Sequence, residues 1–170
     1  MFQDFILNKK GGGVTITDKN FSNETVSNQT SLSSNFIKLT FNDCNFNGVD
    51  FGDGSFTYCK FQNCQFKNIK LIRAEFENCD FEKCIILDSD LARIDFDNTN
   101  FNFCEFKKVD LSAGYFTTCH ISDCNFEQIK ASARCPIIVD SKISKLDNSI
   151  KLTGGFNFDA LLKFLESLPD

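Results

Sequence analysis

Histidine is almost missing from this chain of 170 residues: His120 is the only one. Beside it lies Cys119, but adjacent residues of an extended segment face opposite sides, which excludes a thiol–imidazole dyad between them. No CxxC pair occurs among the nine cysteines, and sulfurs spaced as these are form a ladder that cannot surround one ion tetrahedrally, so a metal centre is not expected. Nucleophile elbows, phosphate-binding glycine loops, paired-histidine motifs and dinucleotide fingerprints are also lacking. No enzyme and no cofactor is expected. No apolar run approaches the roughly eighteen residues of a membrane span, and Met1 to Lys10 lack the apolar core of a signal peptide. A basic surplus is missing as well: the net charge is −5 and no basic stripe is visible, which argues against direct nucleic-acid binding. These absences describe a cytoplasmic protein with reduced thiols, no membrane contact and no chemistry of its own.

What the chain has is periodicity. From Phe36 to Phe126 an apolar residue stands at every fifth position without a slip, including Phe36, Phe56, Phe76, Phe96 and Phe116. Two residues before each comes a position that is mostly small. A five-residue period rotates side chains by about 140° per repeat on a helix and flips the face each time on a flat strand, so the backbone must turn within every repeat. A longer period shows how those turns close. Cys44, Cys64, Cys84, Cys104 and Cys124 recur at steps of twenty; so do Val49, Ile69, Val109 and Ile129, and so do Gly54, Ala74, Ile94 and Gly114. Four repeats per lap make a four-sided coil, with like residues stacked about 4.8 Å apart. A narrow tube holds four large side chains per lap only if its other inward positions are small, and the cysteines fill those positions as packing thiols.

Segments such as CNFNG from Cys44, CQFKN from Cys64, CDFEK from Cys79 and CNFEQ from Cys124 resemble the pentapeptide-repeat family over roughly residues 34 to 130, with Cys preferred to Ala and Phe to Leu. The resemblance implies an all-β fold, a right-handed quadrilateral β-solenoid. Some members of that family, notably those conferring quinolone resistance, resemble duplex DNA in shape and charge, bind DNA gyrase or topoisomerase IV, and are dimers joined at their C-terminal ends. No residue-level determinant of topoisomerase binding carries over to this sequence.

The ends read differently from the middle. Residues 1–33 are expected to be an irregular first lap or an N-terminal cap: Ile16, Phe21 and Val26 keep the five-residue step, but Lys19 and Glu24 stand where small residues belong. Regular repeats run over 34–135. Pro136 breaks the register, and 136–156 read as short strands and turns that continue or close the coil. Residues 157–168 are predicted to form a helix, with Asn157 as N-cap and Phe158, Leu161, Leu162, Leu165 and Leu168 at helical spacing. Phe164 widens its apolar face, so the helix either seals the tube or joins two copies as a homodimer.

Function is left to the outer surface. Glu75, Glu77, Asp95 and Asp97 fall on one side, and the next side adds Asp80 and Glu82, partly balanced by Lys60 and Lys83. Stacked like charges cost stability, so this acidic patch is either a solubilising wall or a binding surface. Outward apolar residues Tyr58, Ile72, Ile85, Leu87, Phe103 and Tyr115 are further contact candidates. Two functions are compatible with this pattern. One is a protein-interaction scaffold with an unidentified protein partner; the other, implied by the family resemblance, is a DNA mimic acting on a type II topoisomerase.

Overall fold

The computed structural model describes residues 1–6 and 13–130 together with the backbone of Ile137–Val139 and Lys142–Leu146. The predicted helix at 157–168, with Phe158, Leu161, Leu162, Phe164, Leu165 and Leu168, lies outside the described residues, as does Cys135.

Every fifth residue from Asp18 to Gln128 has a positive φ, between 46° and 65°. Left-handed backbone turns the chain sharply in a single residue, and this is how a five-residue repeat obtains its corner. Asn and Asp, the non-glycine residues that tolerate this region best, occupy nearly half of the corners; Gly48 takes one. Between corners the chain is extended for three residues, and the central one points inward, as in the buried centres of β1 (Thr15–Thr17), β2 (Asn20–Ser22) and β3 (Thr25–Ser27). Four such sides close one lap, and each strand pairs in parallel with the residue twenty positions on, for example Phe36 with Phe56 and Phe76 with Phe96. The result is a four-sided parallel β-solenoid of about six turns. Three faces are strands. The fourth is a stack of hydrogen-bonded turns, in which Gly54, Ala74, Ile94 and Gly114 donate their amide N–H to the carbonyl three residues earlier and the third residue of each turn carries the positive φ.

The corners do not interrupt the ladder. Tyr58 and Asn78 donate their amides to Glu77 and Asp97 of the next lap at 2.9 and 3.0 Å, while Lys60 and Asp80 donate back to Leu39 and Cys59. Inside, the phenylalanines form three columns. Phe36, Phe56 and Phe76 stack at 4.5 Å per step, Phe41, Phe61 and Phe81 at 5.2 and 4.7 Å, and Phe46 and Phe66 at 5.0 Å. Neighbouring columns meet edge to face, as Phe96 and Phe101 do at 5.0 Å and 88°. The cysteines lie between the columns with their thiols hydrogen-bonded to main-chain carbonyls: Cys84 Sγ donates to Phe61 O at 3.3 Å and Cys79 Sγ to Phe56 O at 3.3 Å. Thr99 and Ser89 replace the usual residues in two columns and donate in the same way, to Phe76 O and Leu87 O.

The N-terminal reading needs correction. Residues 13–33 are a regular lap rather than an irregular one, since β1, β2 and β3 pair with the strands at Asn35–Ile37, Thr40–Asn42 and Asn45–Asn47 in unbroken twenty-residue register. Among the described residues the capping role falls to α1 (Phe2–Ile6). Lys19 and Glu24 break the small-residue pattern without disturbing the lap because no further lap covers them. Glu24 instead accepts the Phe2 amide at 2.5 Å, and the Lys19 ammonium lies 5.2 Å from the Phe5 ring centroid. At the other end Ile138 pairs with Phe116, twenty-two residues earlier rather than twenty, so the coil continues past Pro136 with a shifted count.

Phe96 is 2% exposed and touches rings in three directions. Phe96→Ala is therefore expected to cost about 3–5 kcal/mol in urea unfolding, while Ala74→Phe, at a fully buried inward position, is expected to destabilise by about 1–3 kcal/mol through overpacking. Native-like midpoints for both would remove the inward assignment.

Candidate interaction surface

The regular lap converts sequence distance into surface position. Glu75 pairs directly with Asp95 and Glu77 with Asp97, so four exposed carboxylates occupy two adjacent rungs of the first face, about 4.8 Å apart. None of the ion pairs among the described residues reaches them. Arg73, on the nearest corner, is held by both oxygens of Asp53 at 2.6 and 2.8 Å. On the other edge Asn78 and Asn98 are bonded to each other, Asn98 Nδ2 donating to Asn78 Oδ1 at 2.5 Å, and Asn78 also donates to Glu77 at 3.2 Å. The electrostatic consequence is visible at Asp95: partial desolvation, reinforced by Asp97 and Glu75, raises its pKa above the ordinary aspartate value.

Asp80 and Glu82 belong to the second face and differ in kind. Lys60 lies 3.5 Å from Asp80, which also accepts a hydrogen bond from Asn100 at 2.8 Å, and Lys83 lies 3.6 Å from Glu82. The six acids are thus a bare quartet beside a neutralised pair. Three other acids of the walls are matched across laps, Asp110 by Lys130, Glu127 by Lys107 and Asp88 by Lys108.

A family model for pentapeptide repeats matches residues 55–86 and 74–112, with eight copies. The solenoid is made of pentapeptide repeats. Among solved structures, a trypsin-treated form of QnrB1, described as a plasmid-mediated fluoroquinolone resistance protein, is 18% identical, with 91% of this chain and 96% of that one covered and a TM-score of 0.35. Full-length QnrB1 gives 16% identity, 89% and 98% coverage and a TM-score of 0.26. The catalytic unit of an α-1,3-glucanase from Streptomyces thermodiastaticus gives 10%, 84% and 46%, and 0.23. No curated protein matches the sequence.

The pentapeptide scaffold also places the remaining candidates. Tyr58, Phe103 and Tyr115 are exposed, Tyr58 and Phe103 at left-handed corners, and Tyr115 directly beside Asp95 on the next rung. Ile85 is marginally exposed, and Ile72 and Leu87 are half-buried. His120 points outward and Cys119 inward, so they share no site. Among the described residues no group of His, Cys, Asp and Glu could hold a metal ion, and no helix is long and apolar enough to cross a membrane. The eight described thiols are buried. Burial pushes Cys119 up to about 11, and hydrogen bonds from column neighbours together with burial raise Cys79, Cys84 and Cys124.

Sequence reasoning missed α1 and its contacts to Lys19 and Glu24. The signal was present in the two departures from the small-residue rule, which mark where the tube is open.

Two measurements follow from this geometry. The eight described thiols should resist a thiol reagent in the native protein, and all nine cysteines should react in guanidinium. Because the folded pKa of Asp95 is raised, the native state holds its proton more tightly than the unfolded chain, so this group lowers stability as pH rises through its folded pKa. Asp95→Asn should therefore raise the urea midpoint at pH 7, with the gain disappearing as the pH approaches the ordinary aspartate range; a gain that is constant with pH would contradict the charge origin.

Proposed function

We propose that this chain is a non-enzymatic interaction scaffold whose first face receives a basic surface of a protein partner on Glu75, Glu77, Asp95 and Asp97. One observation carries the reading: two like-charged cross-strand pairs on the first face take part in none of the ion pairs among the described residues, whereas Asp53, Asp110 and Glu127 elsewhere on the solenoid are matched by cations one lap away. Directly opposed like charges destabilise a sheet, and a partner cation removes that cost on binding. Exposed Tyr115 on the adjoining rung offers a ring against which a guanidinium can stack.

The narrower reading is a DNA mimic acting on a type II topoisomerase. Two charges per lap of about 4.8 Å approach the axial charge density of duplex DNA, about one per 1.7 Å, which favours a partner that ordinarily holds nucleic acid. The quartet spans only two rungs, however, and that suits a short basic patch better than a long DNA groove.

The test compares wild type with a Glu75→Lys, Asp97→Lys variant of matched thermal stability. Partners recovered from the source cells are purified and titrated directly at low and high salt. Charge reversal is expected to weaken binding at least tenfold and to flatten the salt dependence; equal affinity of the two proteins would reject the first face as the contact. In a gyrase supercoiling assay, inhibition by wild type that is lost in the variant would select the topoisomerase reading, and no effect of either protein would remove it.

A further inference from the structure

Among the described residues, only α1 closes the N-terminal mouth of the tube. Phe2, 1% exposed, enters the tube and meets Phe21, Phe36 and Phe41 at 5.1, 5.7 and 5.0 Å. Its helix is five residues long and is held by the Glu24 carboxylate and by Lys19 over Phe5. Around it runs a rim of strand edges: β1 ends one sheet, and β2 and β3 are the two terminal strands of the other. Exposed edges are ordinarily protected by outward charges, prolines or bulges, or by very short strands and inward-pointing charges, and of these the rim has only the last two, in its three-residue strands and in Lys19 and Glu24. Here the outward residues of the rim are Thr15, Thr17, Asn20, Ser22, Thr25 and Ser27, none charged and none proline, and the register to the next lap is unbroken.

We propose that α1 is a stopper against self-association, and that without it the mouth binds the mouth of a second copy of this chain. The occupant follows from complementarity. A two-fold axis perpendicular to the tube sets two mouths face to face, so that the same four-sided outline meets itself and the rim strands run antiparallel, a pairing open edges accept. The apolar floor of the mouth, Ile16, Phe21 and Val26, then meets the same floor of the partner. Charge does not oppose the contact, since the inward positions of this lap carry one base, Lys19, and one acid, Glu24. Such an interface is isologous and closes at two copies instead of growing into a filament.

The test uses two variants of the full chain, one lacking residues 2–6 and one carrying Phe2→Ser and Phe5→Ser, both checked for retained β circular dichroism. Sedimentation velocity across a concentration series should show species of twice the parent mass, and hydrogen exchange at the amides of β1–β3 should slow as they form. Excess peptide with the sequence of residues 1–10 should restore the parent mass, and adding Thr17→Lys with Thr25→Lys to either variant should abolish doubling. Parent mass at every concentration would overturn the proposal. So would open-ended aggregation indifferent to the rim lysines or the peptide, and so would loss of the fold in both variants, which would make α1 part of the solenoid and not a stopper.

Discussion

The left-handed corner is the constraint on which the rest depends. A non-glycine residue in that region costs of order 1 kcal/mol, and this chain accepts one at every corner from Asp18 to Gln128 except Gly48. What offsets the cost is that each corner delivers its amide to the next lap at hydrogen-bonding distance and drops a ring into a stack spaced 4.5 to 5.2 Å. Neither gain exists for one lap alone. The corners, ladder and stack are stable only together, and for that reason the five-residue count runs without insertion from 13 to 130. Tyr58, Phe103 and Thr118 show the strength of the demand, since bulky or β-branched residues adopt the corner conformation when the register calls for it.

Cysteine in the small positions has a second role beyond size. Just after a corner, the thiol reaches the carbonyl of the residue before that corner and that of the inward residue one lap earlier, as Cys79 does with Glu77 O and Phe56 O, and it is small enough to fit there while still offering a weak donor. Two departures make the point: Thr99 and Ser89 differ from cysteine in shape and polarity, yet each hydroxyl donates to main-chain carbonyls. Ala74 and Gly114, in the column that follows the turn face, have no donor, and there the amide of the same residue closes a turn instead. Column identity therefore follows which face precedes the corner.

Most of this architecture was legible because it is periodic. Phe36 to Phe126 fixed the inward set and the twenty-residue step fixed the neighbours, so the adjacency of Glu75 to Asp95 could be read before any coordinates. The partial balance of Asp80 and Glu82 by Lys60 and Lys83 was legible in the same way. Two things were not legible. The fourth face is built from turns, and its five-residue spelling looks like the others. The stopper was hidden because Phe2 lies outside the repeat, and because Lys19 and Glu24 read as defects when each is a contact to α1.

A solenoid in which each lap touches only its neighbours also separates its surfaces energetically. The carboxylate quartet sits three laps from the mouth, about 14 Å along the axis, and shares no side chain with it. Perturbations at such separations add independently unless a common element moves, and the ladder between these two sites is unbroken. Charge reversal on the first face and removal of α1 therefore act on different equilibria, one with a basic partner and one with a second copy. If both equilibria exist, pairing mouth to mouth would place two acidic quartets on one rod, their near rungs roughly 33 Å apart once both intervening stretches and the rim are counted at the strand spacing. A divalent particle of that kind gains avidity only toward a partner that presents two basic patches at a matching distance. The stopper would then set valency as well as solubility.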